Sequence, residues 1–232
     1  MAVPRIKPPA FAAGAKRSLD ALWSVLRGEE TPAKAALRLK LGLKLDTRQW
    51  NPELLKQLEW RRFEEVCAAY YESLGFAVGT SGAGTPAGVD IVIRDKAAKT
   101  QSIARCKAWD AYRVGPKAVR ELRRAMNAAK IADGTLLTAG RFTHDAVNLA
   151  AQEGIRLIDG PALLEKIAAM APDKSLALLQ FATQGDFLSP TCPFCSIKMI
   201  SRQSTKDGRK YWGCRNYPAC KQTFASTASV PA

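Results

Sequence analysis

Four cysteines near the C-terminal end constrain this chain more than any other feature. Cys192-Pro-Phe-Cys195 and Cys214-Arg-Asn-Tyr-Pro-Ala-Cys220 read as C-x2-C followed by C-x5-C. Two close pairs of thiolates satisfy the tetrahedral, sulfur-rich coordination of Zn²⁺. With all four positions filled by protein, no place is left for water, so the expected zinc is structural. The segment they staple, 190–225, is crowded with cations and aromatic rings. Lys198, Arg202, Arg209, Lys210, Tyr211, Trp212, Arg215 and Tyr217 lie in it, joined by Lys206, Lys221 and Phe224, against one acid, Asp207. Basic side chains neutralise phosphates, and Tyr or Trp faces stack on unpaired bases, at about 1–3 kcal/mol per base. One of Tyr211 and Trp212 is expected to pack inward. The competing reading is a zinc-stapled protein-interaction module whose rings only build its core.

Charge extends the argument to the whole chain. Its 35 Lys and Arg exceed its 21 Asp and Glu, a formal net charge of +14 over 232 residues. Such a chain associates with polyanions, a description that DNA, RNA and anionic lipid all fit. No apolar run is long enough to span a bilayer, and the N-terminus lacks the order of a signal peptide, so membrane association is not expected and a cytoplasmic location is. Cys67 and Cys106 stand alone in apolar contexts and read as buried free thiols.

The chain divides into a basic arm (1–50), a domain (51–170), a linker with a short helix (171–189), the four-cysteine ribbon (190–225) and a small polar tail (226–232). The arm carries two candidate short helices, Leu19 to Leu26 and Ala33 to Leu43. In the domain, Leu54, Leu58, Phe63, Val66, Cys67, Tyr70 and Leu74 recur at helical spacing after Asn51-Pro52, and Gly75 stops them. Strands are expected over Phe76 to Gly79, Val89 to Ile93 and Gln101 to Trp109, with a Gly-rich turn from Thr80 to Gly88. An amphipathic helix spans Val114 to Ile131. A strand (Gly134 to Ala139), a helix capped by Thr143, a strand (Ile155 to Ile158) and a helix (Pro161 to Met170) follow. This order predicts a mixed α/β sheet with helices on its faces.

Asp90 lies in the apolar stretch Gly88-Val-Asp-Ile-Val-Ile93, where a carboxylate is costly unless paired or metal-bound. In Ile103-Ala-Arg-Cys-Lys107, strand alternation puts Arg105 and Lys107 on one face. If the two strands are adjacent, Asp90 and Lys107 can meet, either as a plain ion pair or as a Mg²⁺-and-water site for phosphodiester hydrolysis. Glu64 and Glu65 alone read as a solvated helix face, and so does the run Arg120, Arg123, Arg124. His144 is the only histidine, which excludes a His-pair metal site within one chain.

Trp60-Arg-Arg-Phe-Glu64-Glu65, Gly75-Phe76, Gly88-Val-Asp90, Cys106-Lys107, Val114-Gly115, Val119-Arg-Glu-Leu122, Phe142-Thr143 with Ala146, and Ile158-Asp159-Gly160 resemble the Mrr-like restriction endonucleases of the PD-(D/E)xK nuclease superfamily. The resemblance covers roughly residues 58 to 168. It implies a restriction-endonuclease-like fold and Mg²⁺-dependent cleavage of DNA, often DNA with modified bases. It makes Asp90 the Mg²⁺ ligand, Lys107 the catalytic lysine and Glu64 a supporting acid. A double-strand cut would call for two active sites and hence a homodimer. One position departs: the family has Gln or Glu two residues before the lysine, and this chain has Arg105. A guanidinium about 4 Å from Mg²⁺ would cost roughly 8 kcal/mol at an effective dielectric near 20. Arg105 must therefore turn away, toward DNA phosphate for instance, or another carboxylate must complete the site, or the domain binds DNA without cutting it. The cysteine segment, with Gly208-Arg-Lys-Tyr-Trp-Gly-Cys214 at its centre, resembles the C-terminal zinc ribbons of bacterial type I topoisomerases. That likeness implies DNA binding, chiefly single-stranded at the ribbon, with duplex at the core. Ser196 stands where glycine is common there.

Overall fold

The computed structural model describes residues 45–80, 89–95, 100–108 and 113–225. The two arm helices, the Gly-rich turn, Trp109 and the polar tail lie outside the described residues.

Asn51 opens the first helix, α1 (Pro52–Gln57): its side chain accepts from Leu54 N, and Pro52 needs no amide partner in the first turn. The periodicity expected as one helix is in fact broken at Leu58, where the backbone turns extended, and Glu59 starts α2 (Trp60–Ser73). Glu59 caps α2 by accepting from Arg61 N and Arg62 N. Five strands then build the main sheet: β1 (Ala77–Thr80), β2 (Ile91–Arg94), β3 (Thr100–Lys107), β5 (Asp133–Thr138) and β7 (Ile155–Ile158), adjacent in that order. The β1–β2 and β2–β3 pairs are antiparallel, while β3–β5 and β5–β7 are parallel. The expected mixed sheet is therefore present. Two short segments, β4 (Arg113–Val114) and β6 (Arg141–Phe142), pair in parallel beside it and were too short to show in the sequence.

Parallel neighbours require crossover helices. α3 (Pro116–Ala129) joins β3 to β5 by way of β4, and α4 (His144–Gln152) joins β5 to β7 by way of β6. α3 buries Val119, Leu122, Ala125 and Met126 against Ile103 and Leu136. The approach is close: a Cβ on Gly134 would run into the Met126 thioether, which would have to move aside. Leu122 is fully buried in this cluster, and truncating it to alanine would cost about 2–5 kcal/mol. Thr143 caps α4 through Ala146 N, and Asp159 caps α5 (Gly160–Ala168) through Ala162 N.

The segment 171–189 contains α6 (Pro172–Thr183), which buries Leu178, Leu179 and Ala182. It is tied to α2: Lys174 Nζ donates to Ser73 O at 2.7 Å, and the Arg62 guanidinium lies 5.3 Å from the Phe181 ring centre. Beyond it β8 (Ile200–Gln203), β9 (Lys210–Gly213) and β10 (Thr223–Ala225) form an antiparallel sheet with β9 in the middle. Both sheets belong to one compact unit, Asp46–Ala232. Among the described residues no helix is long and apolar enough to cross a membrane.

Candidate functional site

Asp90 sits one residue before β2, not within it. Its amide donates to Ala104 O at 3.1 Å, and its Oδ2 accepts from Cys106 N at 2.6 Å. The carboxylate is thus pinned to the backbone of β3 between Arg105 and Lys107. Burial raises its pKa, partly countered by the Cys106 amide and by the charges of Arg105 and Lys107. Glu64 reaches the same place from α2. Burial, and next the charge of Asp90, push Glu64 up to about 8. Two half-buried carboxylates that each raise the cost of ionising the other are a donor set for a hard cation. The three sequence-predicted residues Glu64, Asp90 and Lys107 are therefore brought together.

Arg105 does not face this pair alone. Its Nη2 lies 3.2 Å from Glu121 Oε2, and Lys107 Nζ lies 3.9 Å from the same oxygen. Glu121 projects from α3 and was not among the expected site residues. It had one signal in the sequence: it is the single acid in a helix carrying Lys117, Arg120, Arg123 and Arg124. Of that run, Arg123 is spent on Glu153, to which its Nε donates at 2.7 Å, while Lys117, Arg120 and Arg124 are exposed. On the opposite face of β3, Cys106 hydrogen-bonds Cys67 of α2, and both are buried free thiols as expected. His144 is exposed, with Nδ1 3.1 Å from Asn148 Nδ2.

In the second sheet, the sulfurs of Cys192, Cys195, Cys214 and Cys220 all lie within 4.8 Å of one another. Asn216 supports them, its amide donating to Cys214 Sγ at 3.4 Å and its side chain to Cys195 Sγ at 3.8 Å. The cluster is also the module's core, shared with Met199, Trp212 and Phe224. Two of the expected DNA-facing residues are otherwise engaged. Trp212 is only 8% exposed and is the ring that packs inward, because it is on the central strand behind the cysteines. Lys198 is drawn toward the main domain by Glu59. Arg209, Lys210 and Arg215 are exposed, Tyr211 is half-buried, and Arg202 lies over the Tyr217 ring at 5.4 Å. Tyr217 is 60% exposed. Phe194, between the first two cysteines, is 78% exposed and was not singled out; its place at the tip of a C-x2-C knuckle is the signal that marked it.

Glu59 joins the two sheets. It is 3% exposed and belongs to the N-terminus of α2, yet its carboxylate also accepts from Thr191 N at 3.2 Å, Thr191 Oγ1 at 2.9 Å and Lys198 Nζ at 3.0 Å. Its own amide donates to Phe187 O at 3.0 Å, and Trp60 Nε1 donates to Thr191 O at 2.8 Å. The cysteine module is therefore clamped to the first turn of the helix that carries Glu64.

A mixed sheet with Asp90 just before β2, Lys107 on β3 and Glu64 on α2, followed by a four-cysteine module, can now be set beside known families. Residues 55–167 match the Mrr catalytic family, described as restriction endonuclease. Residues 189–228 match the topoisomerase DNA binding C4 zinc finger family. One stretch of the chain thus matches the Mrr restriction-endonuclease family model, and a second, C-terminal stretch matches a topoisomerase-type zinc ribbon. A curated relative, the uncharacterized protein y4cE of Sinorhizobium fredii (strain NBRC 101917 / NGR234), is 32% identical over 133 residues; the match covers 53% of this chain and 33% of the relative. The chain thus spans about a third of that relative's length. Two solved structures are similar at low identity. The crystal structure of protein of unknown function AF1548 gives 16% identity and a TM-score of 0.36, covering 54% of this chain and 64% of that one. The MspJI restriction endonuclease in complex with a 27-mer oligonucleotide gives 15% and 0.37, covering 82% and 41%.

Proposed function

We propose that this chain is a Mg²⁺-dependent DNA endonuclease of the restriction type, acting in the cytoplasm on DNA that its zinc ribbon helps to hold. The observation that carries the reading is the Asp90 carboxylate, fixed by Cys106 N beside Glu64 and next to Lys107 of the same strand. Oxygen donors of this kind suit Mg²⁺, and Asp90 and Glu64 are the residues that would hold it. When bound, Mg²⁺ supplies Lewis-acid polarisation of the phosphate and a more acidic water. The chain's own groups do the rest. Asp90 cannot swing, because the β3 backbone holds one of its oxygens. Lys107 is anchored by its carbonyl, which accepts from Thr138 Oγ1 at 2.8 Å. Its ammonium orients the attacking water and stabilises negative charge as it builds on the phosphate oxygens.

In the ribbon, Cys192, Cys195, Cys214 and Cys220 would hold a structural zinc, since the four sulfurs leave no open position. Arg209, Lys210, Arg215 and the Arg202–Tyr217 pair are the groups offered to DNA. The description of the matching family as a DNA-binding finger supports this part of the reading.

The test is cleavage of supercoiled plasmid, modified and unmodified, with Mg²⁺ or Mn²⁺. Wild type should cut, and Lys107→Ala should cut at least about 10²-fold more slowly, the scale of a lost acid–base or charge-stabilising group. DNA binding without cutting by wild type would instead establish a non-catalytic DNA-binding protein on a nuclease fold.

A further inference from the structure

Arg105 and Lys107 put two positive charges beside the Asp90 carboxylate, which Glu64 approaches from α2. Left uncompensated, those two positive charges oppose a divalent cation at the Asp90 carboxylate. An arginine in this place would exclude the cation if its guanidinium pointed inward. The structure shows where the guanidinium goes instead. It meets Glu121 Oε2 at 3.2 Å, and Lys107 shares that oxygen at 3.9 Å. Glu121 is the only acid on α3. The helix is held against β3 by Val119, Leu122 and Met126, all fully buried, so Glu121 is delivered to this spot by the core.

We propose that Glu121 is a positioning residue of the cation site: it turns Arg105 toward α3 and cancels its charge, so that a divalent cation binds beside Asp90 and Glu64. The carboxylate that β3 lacks two residues before Lys107 is thereby supplied from α3, one step removed, as the partner of an arginine. The purpose of the site rests on the nuclease reading above; the charge relation among Glu121, Arg105 and the cation is tested without it.

The experiment titrates Mg²⁺ into the full, zinc-loaded chain by calorimetry, comparing wild type, Glu121→Gln, Arg105→Gln and the double variant. Glu121→Gln should weaken Mg²⁺ binding by about tenfold or more, because Arg105 is then an uncompensated cation near the site. Arg105→Gln should bind at least as tightly as wild type. The double variant should recover to within about threefold of wild type, the rescue expected when the two residues act on each other. A Glu121→Gln protein that binds Mg²⁺ like wild type overturns the proposal, as does a double variant no better than Glu121→Gln or a wild type that takes up no Mg²⁺. Should Glu121→Gln fail to fold, Arg105→Gln and the double variant still decide: equal affinities support the proposal, and a further loss of about tenfold in the double overturns it. Plasmid cleavage by the same proteins judges the nuclease reading separately. Mg²⁺ binding in the expected pattern without cleavage would refute the nuclease and leave the role of Glu121 standing.

Discussion

The two candidate metal sites of this molecule are built in opposite ways. The four thiols come from one short stretch, Cys192 to Cys220, and are themselves the core of the module they staple. The carboxylate site draws Glu64 from α2, Asp90 from the residue before β2, Lys107 from β3 and Glu121 from α3, all resting on a hydrophobic core that exists without them. On the function proposed above, the ribbon would need zinc to fold, whereas the Mrr-like domain would need its fold to bind Mg²⁺. The sharpest way to break this contrast is to remove the metals. Chelating zinc should unfold the ribbon, since structural zinc contributes on the order of 10–16 kcal/mol in small zinc modules. The main sheet should remain. Circular dichroism of the sheet, read beside fluorescence of the buried Trp212, should show the ribbon lost and the core kept. Withdrawing Mg²⁺ should leave both signals unchanged. A main sheet that melted on zinc removal would mean the two regions are one cooperative unit.

The junction decides how far that independence goes. Both oxygens of the Glu59 carboxylate cap α2, and both also accept from the ribbon: Oε2 from Thr191 N, Oε1 from Thr191 Oγ1 and Lys198 Nζ. Glu59→Ala would leave Lys198, Thr191 and the first amides of α2 to find water in a buried place, at a cost of about 3–5 kcal/mol. Denaturant unfolding should register that loss. Small-angle scattering should show the ribbon released from the domain while its zinc is retained. Thr191→Val, which keeps the shape and deletes one donor, should cost about 1 kcal/mol. A Glu59→Ala protein with wild-type stability and unchanged dimensions would show that the ribbon is docked by other contacts.

Legibility in the sequence followed the same division. The thiols could be read because a zinc ligand set is a spacing pattern, and spacing is what a sequence displays. Asp90 and Lys107 could be read because strand alternation is also local and the chain around them resembles a known family. Glu121 could not, since its role depends on α3 crossing back over β3, a relation set by packing across sixteen positions of chain. Glu59 was hidden for a related reason. It falls inside an apparent helical period, and only the break at Leu58 makes it a cap; its ribbon partners are more than a hundred residues away. That Lys198 turns to Glu59, and that Trp212 and not Tyr211 packs inward, could not be read, because composition marks a basic, aromatic segment without saying which members turn inward.

The carboxylate site carries a penalty that the ribbon does not, and pH exposes it. Glu64 is raised from 4.5 to about 8 in the folded protein, first by burial and then by Asp90. Without Mg²⁺, the native state therefore holds a proton that the unfolded state gives up. Stability from this group is fully present below pH 4.5 and is lost as pH rises to about 8. Glu64→Gln has no such proton to lose. Its stability should gain on that of wild type progressively from pH 5 to 8, by about 3–4 kcal/mol, and level off above. Added Mg²⁺ should close the gap by favouring ionised Glu64. Parallel pH profiles for the two proteins would mean that Glu64 is not the perturbed acid.

The smallest effect lies on the ribbon side, where one residue works against the geometry of its own cluster. Ser196 follows the second cysteine of the first knuckle and has φ +54°, in the left-handed region. Its amide donates to Cys192 O at 2.9 Å, so the turn that aims the two sulfurs requires this conformation. A side chain there costs about 1–2 kcal/mol of backbone strain, which glycine avoids. Glycine also gives the unfolded chain more freedom, which returns about 0.4–1 kcal/mol of that gain. Ser196→Gly should therefore tighten zinc binding by about 0.5–1 kcal/mol, roughly two- to fivefold in a chelator competition. The main sheet should be untouched, because the change is confined to the ribbon. A looser zinc site in Ser196→Gly would mean that the serine hydroxyl supports the cluster by more than its backbone costs.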